Sequence, residues 1–225
     1  MSTRIHPTAI VEEGVSIGNN TSIWDNVHLR GPTTVGQDCI IGEKTYIAYG
    51  VNIGDRVKIN AFVYVCTGVT IEQGAMVSAG TVFTNDRFPR ATTPDLRALR
   101  GSEPDDETLP TLVKAGATIG ARSVIGCDLV IGRFAMVGMG SVVTKSVPDF
   151  HLVAGQPARS IGFVCRCGKP FHRFKGDVPL DLESTRCQGC GRSYRVENGQ
   201  VIEIPSITDA CWLLADLDHY DRMSN

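Results

Sequence analysis

The sequence has no long run of lysine and arginine. Its 22 Lys and Arg against 24 Asp and Glu give a net charge of −2 and a pI of about 6.2. Nonspecific binding to nucleic acid needs cations to neutralise phosphates, so that class is set aside. Long apolar runs are missing too: none approaches the ~20 residues that cross a bilayer, and the opening MSTRIHPTAIVEEG holds no apolar signal core. The expectation is a soluble, cytoplasmic chain. Histidine is scarce, and between Val11 and Val147 it occurs only at His28. Cysteine is unevenly spread. Cys39, Cys66, Cys127 and Cys211 stand alone, while Cys165, Cys167, Cys187 and Cys190 form two close pairs. In a reducing compartment such pairs point to metal before disulfide. With 225 residues there is room for one or two domains.

What is abundant is order of one kind. From Val11 a large apolar residue returns every sixth position: Ile17, Ile23, Leu29, Val35, Ile41, Ile47, Ile53, Ile59, Val65, Ile71, Val77 and Phe83. The series resumes as Val113, Ile119, Ile125, Ile131, Val137 and Val143. Four residues after an anchor the side chain is small or β-branched, as at Thr21, Val27, Thr33, Cys39 and Thr45, and the residue after an anchor is often Gly. Six matches neither the helical period of 3.6 nor the strand period of 2. It matches short strands separated by tight corners, with the anchor on the axis, the small residue in the corner and Gly relieving the backbone. Such coils stack by parallel ladders.

Between Phe83 and Val113 the count breaks. Continuing it lands on Pro89, Asp95, Gly101 and Glu107, none of which can serve as an axial anchor. Residues 84–110 therefore leave the coil, and a loop of that length in a regular solenoid is usually functional or disordered. Leu96, Ala98 and Leu99 suggest one short helical turn within it.

The hexad pattern resembles the hexapeptide-repeat acyltransferases. That resemblance implies an all-β fold, a left-handed parallel β-helix with three hexads per coil and about six coils here, assembled as a homotrimer. The words FTND-x-x-PRA, TLVKAGATIGA and SVVTKSVPDFHLVAGQPAR are similar to the branch that N-acetylates nucleotide-linked 3-amino sugars. They cover about residues 5–165. This implies acetyl-CoA as co-substrate and a UDP- or dTDP-linked amino sugar as acceptor. Relatives acting on 4-amino sugars commonly carry an additional N-terminal nucleotide-binding domain, whereas this sequence begins almost directly with the repeat. Where the branch often has His in its first coil, Trp24 is followed by Asp25, and Gln156 replaces a common Asn.

Acyl transfer needs a neutral amine aimed at the thioester carbonyl. The thiolate leaves readily, because its conjugate acid has a pKa of about 8.5, so the demand falls on positioning and proton removal. Asn85 matches the family's active-site asparagine, whose side-chain carbonyl accepts a hydrogen bond from the attacking amine. An amide is no base, which leaves Asp86 and His28 as candidate proton acceptors. The family lays the pantetheine arm between subunits. By that resemblance Gly120 and Gly138 let the arm approach the backbone, and Lys145 and Arg159 meet its phosphates.

After Ile161 the hexads end. CRCG at 165–168 and CQGCG at 187–191 present four thiolates from two Gly-bearing turns, the donor set that closes a tetrahedron around structural zinc. SYRVENGQVIEI reads as a β-hairpin with an Asn-Gly turn. The expected organisation is a β-helix over 1–160, a zinc ribbon over 161–205 and a tail over 206–225 with a short amphipathic helix around Trp212, Leu213, Leu214 and Leu217. Alternatives on the same scaffold are O-acetylation or use of another acyl-CoA, and a non-catalytic scaffold that binds protein through its ribbon. A carbonic-anhydrase variant needs three converging histidines, which the repeat region lacks.

Overall fold

A computed structural model describes residues 2–101, 103–179 and 181–205. The expected amphipathic tail lies outside the described residues. The chain divides into two units, Met1–Ile161 and Gly162 onward.

The first unit is a β-solenoid. Each coil contributes one short strand to each of three parallel ladders, called faces A, B and C here. Face A begins Arg4–Ile5, Ser22–Ile23, Ile40–Ile41 and Lys58–Ile59; face B begins Ile10–Val11, His28–Leu29 and Tyr46–Ile47; face C begins Val15–Ile17 and Thr33–Val35. Ile23 pairs with Ile41 and Ile41 with Ile59, so one turn consumes three hexads. The anchors Ile23, Leu29, Ile41, Ile47, Ile59, Ile71, Ile119 and Ile131 are fully buried and stack along the axis. Truncating one such Ile to Ala is worth ~2–5 kcal/mol.

The corner rule has a physical basis. Buried Thr21, Thr33, Thr45 and Thr111 each donate a hydroxyl hydrogen bond to a carbonyl of the next coil, at Gly36, Ala48, Asn60 and Gly126 (2.7–3.2 Å). A threonine there fits the corner and satisfies its own polar atom. Glycine after the anchor answers a different need from the one its sequence suggested. A β-carbon on Gly120 would sit 2.5 Å from the Met139 amide nitrogen, so glycine is required by the approach of the next coil, not by its own torsions. Positive φ occurs two residues further on, where Asn20, Asn26, Asp38 and Lys44 carry it.

Face A holds eight parallel strands, so the solenoid makes about eight turns where counting anchors from Val11 suggested about six. Ile5 already pairs with Ile23, in phase one hexad before Val11. At the other end Val137 pairs with Val153 and Ile131 bridges Val147, a turn of sixteen residues in place of eighteen, which moves the last anchors off the count.

The excursion leaves after strand Val82–Phe83 and returns at Thr111–Val113. Its neck is closed by Leu109 N–H to the Asn85 carbonyl (2.9 Å) and Thr111 N–H to the Gly68 carbonyl (3.2 Å). The register then continues undisturbed, with Ile71 beside Val113 and Phe83 beside Ile125. The expected helical turn at Leu96–Leu99 is instead a small hairpin: Thr92 bridges Leu99 antiparallel and Thr93 N–H donates to the Ala98 carbonyl (2.9 Å). Leu96 has φ of +61°, which no right-handed helix accepts, and the Asp95 carboxylate takes the Thr93 hydroxyl and the Arg97 N–H to hold the turn.

In the second unit, strands Leu182–Arg186, Ser193–Glu197 and Gln200–Ile204 form an antiparallel sheet. Asn198 and Gly199, both at positive φ, make the two-residue turn between the last two strands. Phe171 stacks on buried Tyr194 (4.5 Å between centroids) and Phe163 packs edge-on against Phe174.

Candidate active site and cysteine cluster

Face B and the neck of the excursion together make a cavity of about 350 Å³, lined by Arg30, Tyr46, Tyr49, Tyr64, Cys66, Thr67, Asn85 and Glu103, with Ala48. Asn85 enters it because it is the residue at which the chain leaves the coil. Its backbone carbonyl is held by Leu109, and its side-chain amide donates to the Thr67 carbonyl at 3.4 Å. The Nδ2 end is thereby directed at protein, and the side-chain oxygen is the end suited to an incoming N–H donor.

The other sequence candidates are distributed. Asp86 adjoins Asn85, and its carboxylate accepts the Phe88 N–H at 2.7 Å, a local turn bond. His28 lies on face B three rungs from the coil of Asn85, about 14 Å at ~4.8 Å per rung; Tyr46 and Tyr64 stand between them in the ladder. His28 Nε2 meets Glu12 Oε1 at 2.7 Å. The same carboxylate accepts Arg30 Nε (3.2 Å) and the Gly31 N–H (3.3 Å). These bonds, the His28 one foremost, hold the Glu12 carboxyl below the usual carboxylate range. Gly120 and Gly138 fall in one column near face A, each close under the following coil. Lys145 and Arg159 are exposed, and Arg159 donates to the Ala158 carbonyl.

Reading the sequence by hexads missed Arg30, Tyr46, Tyr49, Tyr64, Cys66, Thr67, Glu103 and Glu12. The signal was available at a period of eighteen: His28, Tyr46 and Tyr64 are one outward column. Cys66 lines the cavity as a neutral thiol, because burial pushes it up to about 12.

In the second unit Cys165, Cys167, Cys187 and Cys190 bring their four sulfurs within 4.8 Å of one another. Cys165 Sγ is 3.4 Å from Cys190 Sγ, and Cys167 Sγ is 3.7 Å from Cys187 Sγ. Four sulfurs at ~2.3 Å from a tetrahedral zinc would be about 3.8 Å apart, so the donor set fits. Backbone N–H groups of Cys167 and Gly189 point at the Cys165 and Cys187 sulfurs (3.5 and 3.3 Å), and the Tyr194 hydroxyl lies 3.1 Å from Cys165 Sγ. Burial works against a thiolate at Cys187, but the N–H groups of Gly189 and Cys190 and the neighbouring thiols outweigh it, bringing Cys187 down to about 7. The single-residue spacing of the first pair does not prevent closure.

Comparison with known proteins agrees with the fold. Models described as bacterial transferase hexapeptide (six repeats) match residues 14–49 and 50–85. A model described as the hexapeptide repeat of succinyl-transferase matches residues 32–67 and 113–145. The dTDP-3-amino-3,6-dideoxy-alpha-D-galactopyranose 3-N-acetyltransferase of Aneurinibacillus thermoaerophilus is 40% identical over 200 residues, covering 89% of this chain and 94% of that protein. That span is longer than the solenoid alone. The bifunctional protein GlmU of Rubrobacter xylanophilus is 28% identical over 67% of this chain, which spans only 39% of that protein. Among solved structures, a mutant of AntD, an N-acyltransferase from Bacillus cereus, in complex with dTDP and coenzyme A, superimposes with a TM-score of 0.56 at 22% identity. It covers 70% of this chain and 91% of that one, a likeness of fold.

Proposed function

This chain belongs to the hexapeptide-repeat acyltransferases, and we propose that it transfers an acetyl group from acetyl-CoA to the 3-amino group of a dTDP-linked sugar. The observation that carries the reading is Asn85, which lines the cavity at the neck of the excursion with its Nδ2 bonded to the Thr67 carbonyl. The identity to the dTDP-3-amino-sugar N-acetyltransferase, over most of both chains, supports the choice of acceptor.

In this reading the Asn85 carbonyl oxygen accepts an N–H of the substrate amine and aims its lone pair at the thioester carbon. Attack forms the C–N bond, the C–S bond breaks, and coenzyme A leaves as thiolate. The proton shed by the amine passes to a carboxylate on the excursion: Asp86 follows Asn85 directly, and Glu103 lines the cavity with it. His28, bound to Glu12 and about three rungs from Asn85, is not among the residues lining the cavity and is not the base in this reading. Gly120 and Gly138 border the path of the pantetheine arm, and Lys145 and Arg159 meet the phosphates of coenzyme A.

The working form is a homotrimer. The excursion carries Phe88, Leu96 and Leu99 at 74, 80 and 80% exposure, an apolar edge suited to a second copy. The four cysteines hold a structural zinc ion, which cross-links the two turns of the small unit and supplies no step of the reaction. Free thiols and acetyl-CoA both suit the cytoplasm.

The test is product chemistry. Incubation with acetyl-CoA and a dTDP-linked 3-amino sugar yields one acetyl per sugar, on nitrogen and stable to mild base. An acetyl group lost in mild base would instead mark an ester and favour O-acetylation.

A further inference from the structure

Asn85 accounts for one end of the cavity; the other end is built from a column of outward residues on face B. His28 meets Tyr46 edge-on (5.4 Å between centroids), and Tyr46 stacks flat on Tyr64 (5.3 Å, planes 6° apart). Beside them Arg30 stands between Glu12, in the coil before it, and Tyr49, in the coil after it. Its guanidinium lies 5.3 Å from the centre of the Tyr49 ring, one rung nearer Asn85 than its own strand. A hydrogen bond with the Tyr46 side chain, then the Glu12 contact, raise its already high pKa further.

We propose that Arg30, with Tyr46, Tyr49 and Tyr64, forms the nucleoside-diphosphate subsite of this cavity, and that Arg30 holds the diphosphate. The inference rests on the acetyl-transfer reading above and deepens it, since it says where the rest of the substrate lies.

Length is the first argument. The guanidinium stands between the level of its own strand and that of Tyr49, two to three rungs from Asn85, roughly 10–14 Å at ~4.8 Å per rung. A pyranose with its anomeric oxygen covers the first of these and a diphosphate the rest. An amine held at Asn85 therefore brings the diphosphate to the level of Arg30. Charge is the second. Arg30 is the one cation among the described residues lining the cavity, and a guanidinium fork matches phosphate oxygens in a way a single point charge does not. Rigidity is the third. Glu12 takes Arg30 by Nε, and is itself fixed by the Gly31 N–H and His28 Nε2, so little side-chain freedom remains to be lost when an anion binds. Glu12 is a positioning residue in this scheme. The flat Tyr46–Tyr64 stack gives the pyranose an apolar wall between the two polar ends.

The test is calorimetric titration of the full chain with dTDP alone, and separately with acetyl-CoA, for the wild type, Arg30→Ala and Arg30→Lys. The expected result is at least a tenfold loss of dTDP affinity in Arg30→Ala, a smaller loss in Arg30→Lys, and acetyl-CoA affinity within twofold of wild type in both. Thymidine, which lacks the phosphates, should bind all three proteins alike. Wild-type dTDP affinity in Arg30→Ala would overturn the subsite and leave the acetyl-transfer reading intact. Loss of acetyl-CoA affinity together with dTDP affinity in both variants would make Arg30 a structural residue and also overturn it. A wild-type protein that binds acetyl-CoA but no dTDP would overturn the nucleotide-sugar reading itself, and the subsite with it.

Discussion

A primary amide is neither acid nor base near neutral pH, so whatever Asn85 contributes comes from where its oxygen points. Replacing it with Ala removes an orienting hydrogen bond that matters most as the C–N bond forms. Asn85→Ala should therefore lower kcat by roughly 10²-fold with little change in the KM for acetyl-CoA, as steady-state kinetics will show. Normal turnover would remove Asn85 from the mechanism. Cys66, in the same cavity, gives a pH prediction. Its ordinary value is near 9 and burial raises it to about 12. Across that window the unfolded chain releases a proton that the native chain keeps, so native stability falls as pH rises from about 9. Below it the thiol is neutral, and iodoacetamide at pH 8 should label Cys66 only after denaturation; peptide mass mapping of native and unfolded protein checks this. At this scale Asn85 was singled out by its match to the family's FTND-x-x-PRA words, and the structure puts it in the cavity lining. Arg30 and the tyrosines were not, because outward positions are unconstrained by the hexad and align only when three hexads close a turn.

Elements in this chain are rungs, and a rung tolerates insertion where its neighbours still meet. The excursion enters and leaves through bonds at Asn85–Leu109 and Gly68–Thr111, and the ladders on either side pair as if it were absent. Replacing residues 88–106 with a short Gly-Ser link should leave the far-ultraviolet spectrum and the melting temperature nearly unchanged while abolishing transfer. A collapse of the melting temperature would show that the excursion carries stability as well as function. The anchors made the solenoid legible from sequence, since each large apolar side chain has one place to go. The last turn escaped because its sixteen residues shift the anchors to Val147 and Val153. The hairpin at the tip escaped because leucines at helical spacing say nothing of the positive φ at Leu96, which local hydrogen bonds of Thr93 and Asp95 enforce.

The whole molecule joins a catalytic solenoid to a small cysteine-bearing unit, and the two should be separable by mutation. Cys187→Ser removes one of four thiolates and should drop bound zinc from one per chain to well below one, read by elemental analysis, while acetyl-CoA still binds. Unchanged zinc content would sink the metal assignment. The paired cysteines made that cluster visible in sequence even with one residue inside the first pair, because closure depends on where the turns meet, not on spacing alone. Assembly was an expectation from family resemblance alone, since no hexad encodes a neighbouring chain. The proposed homotrimer would cover the exposed Phe88, Leu96 and Leu99.

The central claim is that this scaffold acetylates an amine at one position of a nucleotide sugar. The most direct measurement is the rate of coenzyme A release from acetyl-CoA with dTDP-linked 3-amino, 4-amino and fully hydroxylated sugars compared at equal concentration. Rapid, saturable release with the 3-amino sugar, and at most slow release with the others, is the predicted result. Release with the hydroxylated sugar and none with either amine would contradict the account.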